Sequence, residues 1–448
     1  MWFRRDLRLS DLPALAEALS GFDQVVPLFV WDPALVRPSG AARLAFLAGC
    51  VAALDRSLGG RLVARSASPA RAVPAVAAEC AAEAVFVTGD FGPYGRRRDA
   101  EVGRLLGDRG VDLRVVDSPY AVAPGRLRTG QGTPFQVFTP FFRAWMAHGW
   151  PGAERRPRLD RITDAGLSSD PGPEITPPDA QLPTAGEEAA HRRLDNFLRS
   201  GAGSYKERRD RPDLDATSRL SAYLRFGCLH PRQVLSRLDP GDSSHRRLET
   251  ELCWRDFYAD VLFHRPDAAR RSYRPEWRAF PVDEGADADA RFEAWSRGRT
   301  GYPIIDAGMR QLLGEGFVHN RVRMIVASFL VKDLHLDWTR GARWFMQHLV
   351  DADLASNQLN WQWVAGSGTD AAPFFRIFNP VSQGRKFDPD GDYIRRWVPE
   401  LSGAGRDLVH EPWKADGSLL EQGSYPAPLV DHVAEREEAL VRYQRVRS

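Results

Sequence analysis

Over the first 125 residues the spacing of apolar positions changes repeatedly. Val25-Val26-Pro27-Leu28-Phe29-Val30, Ala84-Val85-Phe86-Val87 and Leu113-Arg114-Val115-Val116 are short apolar runs of buried-strand length. Between them, Ala41 to Leu58 and Pro69 to Ala82 have the Ala- and Leu-rich composition of helices. Strand, helix, strand in succession predicts a parallel α/β sheet. The chain opens so close to this pattern that its first strand is either very short or starts upstream of Met1. Seven prolines then fall between Pro151 and Pro183, which predicts a linker. From Glu187 onward Leu, Ala, Arg and Trp dominate and β-branched runs are few, so the second half reads as helical. The organisation expected is an α/β domain over 1–125, a Pro-rich linker over 126–188 and a large all-α domain over 189–448.

Composition narrows the class. With 43% hydrophobic and 27% charged residues the chain is globular, and 448 residues suit about two or three units at roughly 150 residues each. The longest strongly apolar stretch, Met324 to Val331, is far short of the roughly 20 residues of a membrane span. No apolar signal core follows Met1, so a cytoplasmic protein is expected. Cys50, Cys80, Cys228 and Cys253 form no CxxC pair, which argues against a zinc ribbon or a disulfide framework. A net charge of +2 gives no reason to invoke nucleic acid, but it is unevenly spread. Residues 191–280 carry 19 basic against 13 acidic residues, and 351–448 carry 11 against 15. A local basic block suits a phosphate-binding face, or equally a solvated surface.

Several runs in the second half carry polar chemistry at helical spacing. Thr217-Ser218-Arg219-Leu220-Ser221-Ala222-Tyr223-Leu224 reads as a helix start, with hydroxyls and free N–H groups suited to a phosphate or to ordinary capping. Glu251, Trp254, Arg255 and Tyr258 fall at i, i+3, i+4 and i+7. That face could stack a flat ring and bond its edge, or Glu251 and Arg255 could form a surface ion pair. Asn320, Arg323 and Met324 precede a wholly apolar run, so Asn320 and Arg323 are expected to find partners inside, with Asp351 and Asp353 as candidates. Asn357 and Trp361 lie one helical turn apart, with Trp363 facing roughly the other way. Trp338 and Trp361 suit either a buried aromatic path or core packing.

Taken together these runs identify a family. The chain resembles the DNA photolyase/cryptochrome family from end to end, and most closely its microbial class I cyclobutane-pyrimidine-dimer members. The resemblance rests on Trp2-Phe3-Arg4-Arg5-Asp6-Leu7-Arg8-Leu9, the 217–224 and 251–258 runs, Gly301 to Arg310, His319 to Met324 and Trp361 to Pro380. It implies a Rossmann-like parallel sheet in an antenna domain and a helical domain holding bent FAD, active as the fully reduced anion, with no metal. By motif match, Tyr205, Thr217, Ser218, Arg219, Leu220 and Ser221 would hold the diphosphate region. Asn320, Arg323, Asp351 and Asp353 would surround the isoalloxazine and ribose, with Arg323 paired to Asp351. Glu251 and Arg255 complete the cofactor set, and Asn357 matches the residue facing flavin N5, where plant-type cryptochromes carry Asp.

The same resemblance implies a lesion pocket of Glu251, Trp254, Asn320, Met324 and Trp363, with Glu251 bonding a flipped dimer between the two indoles. Arg209, Arg321, Arg376 and Trp254 would meet UV-damaged DNA, and Trp361 and Trp338 would pass electrons. A third indole is missing: Gly285 stands at its spacing, leaving Trp277 or Trp344 as substitutes. Pro93-Tyr94-Gly95-Arg96-Arg97-Arg98-Asp99 resembles the members whose antenna is 8-hydroxy-5-deazaflavin rather than methenyltetrahydrofolate. The activity implied is light-driven dimer repair by a monomer with no obligate protein partner and no membrane. A signalling cryptochrome of the same fold is the alternative.

Overall fold

The computed structural model describes residues 1–370, 376–415 and 425–447. Five short strands form near the N-terminus: β1 (Trp2–Phe3), β2 (Leu28–Val30), β3 (Val63–Arg65), β4 (Ala84–Val87) and β5 (Asp112–Val115). All pairings are parallel, with Trp2 opposite Leu28, Leu28 opposite Val63 and Ala84 opposite Asp112. Helices Ala41–Ser57, Pro69–Glu79 and Pro93–Gly107 cross between them. The strands fall into a three-stranded and a two-stranded sheet rather than one. The expected 25–30 strand is also shorter, because Val25 pairs instead with Ile162 of the Pro-rich segment.

That segment is wrapped. Residues Phe138–His148 form a helix, Ser169 and Asp170 bond the β3 backbone, and the Gln181 amide donates to Gly314 O at 2.8 Å. After β1 the chain dives between the two halves. Leu7 donates to Phe226 O at 3.1 Å, and the fully buried Arg8 donates to Gly227 O at 3.2 Å. Gly227 has φ of +68°, and a Cβ there would sit 1.9 Å from Arg5 O, so only glycine admits this approach. Cys50 and Cys228, distant in sequence, meet at 3.4 Å as free thiols.

The second half is helical. Aspartates begin its main helices: Asp242 before Ser243–His264, Asp337 before Trp338–His348 and Asp353 before Leu354–Ala365. Each accepts from first-turn N–H groups that would otherwise lack partners. His319 does the same for Asn320–Lys332 through its ring nitrogen. Trp295 is fully buried and donates to Val326 O at 3.0 Å, anchoring the second core. Among the described residues no helix is long and apolar enough to cross a membrane.

Candidate functional site

The Ser243–His264 helix presents Trp254 to the Phe138–His148 helix. Its indole stacks on Phe138 with centroids 3.7 Å apart and planes 4° from parallel, and lies 5.3 Å from Tyr258. One turn earlier Glu251 is ion-paired to Arg209 and, at 3.3 Å, to Arg247. Arg209 also reaches Asp210 at 3.7 Å, and Asp210 holds Arg321 at 3.0 Å. Burial opposes ionisation of Asp210, but Arg321 and Arg209 prevail and lower its pKa. The Arg321 guanidinium lies over Phe387 at 4.4 Å and 3.9 Å from the Met324 sulfur. Tyr205 is buried beneath Arg209. Glu251, Arg209, Arg321 and Met324 thus meet around one alternating run of charges.

Three expectations are corrected. Arg255 does not pair with Glu251: the helix is packed on several sides, and Arg255 faces the α/β half, donating to Pro119 O at 2.8 Å and Leu224 O at 3.2 Å. Asn320 is exposed, because it is the first residue of its helix and burial begins at Val322. The helix expected from Thr217 starts at Ser221, after Arg219 adopts φ of +50°. Residues 217–220 are therefore loop: Arg193 takes the carbonyls of Thr217 and Ser218, Arg219 pairs with Glu315 at 3.0 Å, and Leu220 is buried.

A second cluster lies across the 320–332, 338–348 and 354–365 helices. Arg323 donates to Val318 O at 2.8 Å and to Asp351 Oδ2 at 2.9 Å, while Asp351 Oδ1 is buried without a partner. Asp353 caps Ser356 N at 3.1 Å and pairs with Arg5 at 2.8 Å. Burial opposes its ionisation, yet Arg5 and Arg225 hold the carboxyl well below the usual range. Asn357 spends its amide hydrogens on Ala342 O at 3.0 Å and Gln358 Oε1 at 2.8 Å, so Oδ1 is the atom left for a ligand. Trp361 is buried 5.1 Å from Phe345 and 6.1 Å from Trp295. Its ring packs on Gly341, where a Cβ would come within 2.2 Å. Trp338, one turn before Gly341, donates to Ser272 Oγ at 3.3 Å. Trp363 donates to Asp370 O at 3.1 Å. The Arg376 carbonyl accepts from Lys332 at the far end of the 320–332 helix, about 16 Å along it from Arg321. Ala371–Phe375 of the Trp361-to-Pro380 run lie outside the described residues.

Residues 1–159 match the family model for DNA photolyase, and 248–445 match the FAD binding domain of DNA photolyase. The deoxyribodipyrimidine photo-lyase of Streptomyces griseus is 44% identical, with 99% of this chain and 98% of that protein aligned. The chain belongs to the DNA photolyase family. A bacterial class III photolyase from Agrobacterium tumefaciens superposes with a TM-score of 0.89 at 38% identity, covering 100% of this chain and 97% of that one. The Synechocystis cryptochrome gives 0.89 at 30% identity, covering 98% of each.

The photolyase is thus a DNA-repair flavoprotein with an FAD-binding domain. The residues present fit that cofactor: the buried, unpartnered Asp351 oxygen and the Asn357 carbonyl both call for N–H or O–H donors, which a flavin edge and a ribose supply. Sequence reasoning missed Phe138, Asp210, Arg247 and Gly341. Only Phe138 carried a signal, in the aromatic spacing Phe138, Phe141, Phe142, Trp145.

Proposed function

We propose that this photolyase repairs cyclobutane pyrimidine dimers in DNA under blue light. The observation that supports it most is the run Glu251–Arg209–Asp210–Arg321 beside the stacked indole of Trp254. Guanidiniums held in place by carboxylates meet phosphates without a large ordering cost. A flat indole and a carboxylate next to them suit a flipped-out pyrimidine pair, whose covalent link already weakens its stacking and pairing. Trp254 and Trp363 would wall the lesion, with Met324 and Asn320 at its rim and Glu251 bonding its edge. Arg209, Arg321 and Arg376 would follow the backbone of UV-damaged DNA.

Asp351, Arg323 and Asn357 would hold the isoalloxazine, and Tyr205 with the 217–220 loop and Ser221 the diphosphate. Asp353 reaches the cofactor only with the lone pairs that Arg5 and Ser356 leave. Arg255 acts on it through the Leu224 backbone. The chemistry that bound, reduced FAD would supply is reversible electron donation to the dimer under light. Asn357, with both amide hydrogens engaged and its carbonyl left to accept, favours a ligand that presents an N–H, as reduced flavin does at N5. Trp338 and Trp361 would carry electrons inward when the flavin is oxidised. The domains are assigned as 1–125, 126–188 and 189–448, and 8-hydroxy-5-deazaflavin as the antenna, beside Tyr94 and Arg98. The enzyme would act as a cytoplasmic monomer.

The test is direct. FAD-loaded, fully reduced protein is illuminated with an oligonucleotide carrying a thymine dimer, and intact thymines are counted. Intact dimers after illumination would reject repair and leave the blue-light photoreceptor reading, which the fold shared with the Synechocystis cryptochrome supports. Extraction of the pigments and their absorbance decides the antenna.

A further inference from the structure

A cavity of about 420 Å³ opens beside Trp338. Trp338, assigned above to electron transfer, lines it, and so does Trp277, one of the substitutes for the missing third indole. One aromatic wall is Trp277, stacked on Phe280 at 5.2 Å and 15°, and another is Trp338 itself. Arg270, Arg271 and Arg278 line the cavity with a single acidic residue, Asp337, whose oxygen is engaged by Thr339 N at 2.6 Å. Arg278 is paired with Asp267 at 3.0 Å, whereas Arg270 and Arg271 have no ion pair among the described residues. The Ser367 hydroxyl also lines the cavity, 98% buried and without a hydrogen-bond partner.

Each feature constrains the occupant. Two guanidiniums without an ion pair among the described residues select a negative charge, indole walls select a flat conjugated ring, and a buried orphan hydroxyl calls for a polar atom on the occupant. The volume suits a small molecule and excludes a folded partner. Trp338 is only 8% exposed, so a molecule seated against its ring is in van der Waals contact with an indole that bulk solvent barely reaches.

We propose that this cavity docks a small anionic reductant with a flat conjugated ring, of the enediolate class, which passes one electron to Trp338. The proposal rests on the reading of Trp338 and Trp361 as an electron path. In the step the donor loses one electron and releases its hydroxyl proton to water, and the oxidised indole of Trp338 regains that electron. No bond to the protein forms or breaks.

The FAD-loaded holoenzyme is illuminated from the oxidised state, and the initial rate of flavin photoreduction is followed against ascorbate or against uncharged dithiothreitol. The expected rate saturates with ascorbate and rises linearly with dithiothreitol. R270E/R271E should raise the half-saturating ascorbate by about tenfold without changing the dithiothreitol rate. S367A should weaken ascorbate alone. A linear ascorbate dependence in the wild type, or unchanged saturation in R270E/R271E, overturns the dock. Calorimetric titration of ascorbate in the dark separates the two readings: binding retained in Trp361→Phe while photoreduction is lost supports both. Photoreduction that persists in Trp361→Phe rejects the electron path and with it the proposed transfer. Displacement of ascorbate by an undamaged single-stranded oligonucleotide assigns the cavity to the DNA surface and overturns the small-molecule reading.

Discussion

Arg323 holds Asp351 by one oxygen only. Its Nη2 lies 2.9 Å from Asp351 Oδ2, while Oδ1 of the same carboxylate is buried with no partner. A buried acceptor without a donor costs about 1–3 kcal/mol, so the carboxylate is oriented for something that donates to it. The Arg323 pair fixes that orientation, and the Asn357 carbonyl is fixed in the same way by Ala342 and Gln358.

Asp351→Asn should therefore loosen the cofactor more than the fold. It keeps the shape but removes the charge that orients the site, leaving the half-buried Arg323 guanidinium with the Val318 carbonyl but no counter-charge. FAD retention, read as the flavin-to-protein absorbance ratio after dialysis, is expected to fall about tenfold or more. Full retention would remove Asp351 from the cofactor site.

Glu251 is expected to separate from that behaviour. Its partners are Arg209 and Arg247, both on the charged run and neither on the Arg323 cluster. Glu251→Ala should lower the dimer-repair yield by about tenfold, the worth of one charge-assisted hydrogen bond, and leave FAD bound. Loss of FAD instead would assign Glu251 to the cofactor.

What could be foreseen followed from local rules. Helical spacing put Glu251 and Trp254 on one face, and the demand for a buried counter-charge narrowed the partner of Arg323 to Asp351 or Asp353, of which the family resemblance named Asp351. The failures share a cause, since each depended on a third element that spacing does not report. Arg255 sits on the right face by periodicity but is drawn to Pro119 and Leu224 by the α/β half packed there. Asn320 looked buried because its helix is apolar, yet a first-turn residue lies ahead of the buried face. Phe138 and Gly341 act across long-range contacts, stacking on Trp254 and admitting Trp361.

Gly341 gives the most specific packing prediction. A Cβ there would lie 2.2 Å from the Trp361 ring and 2.6 Å from Leu330 Cδ2. Gly341→Ala should cost about 1–3 kcal/mol through overpacking and displace the indole. Flavin photoreduction from the oxidised state should slow in this variant and be blocked in Trp361→Phe, measured by flash absorbance. Unchanged kinetics in both would reject the path through Trp361.

Salt dependence addresses the DNA face. Arg376 is exposed, and Arg376→Ala should weaken binding of dimer-containing DNA and flatten the plot of log affinity against log salt by about 0.9. An unchanged slope would take Arg376 off the phosphate path.

Asp256 predicts a pH signature. The side chain is fully buried, and Oδ2 accepts from Val122 N at 3.1 Å and Trp145 Nε1 at 3.0 Å, while Oδ1 has no hydrogen bond and lies 3.8 Å from Arg255 Nη1. Burial pushes its pKa up to about 6, with Arg255 opposing only in part. The folded state thus keeps this proton to higher pH than the unfolded chain does. Its contribution to stability is complete below about pH 4 and lost as pH rises through about 6. Asp256→Asn stays neutral throughout and keeps an oxygen for Val122 and Trp145. The variant should match the wild type near pH 4 and exceed it at pH 7.5 by up to about 3 kcal/mol in urea unfolding. A difference that does not change with pH would mean that folding leaves the Asp256 pKa unshifted.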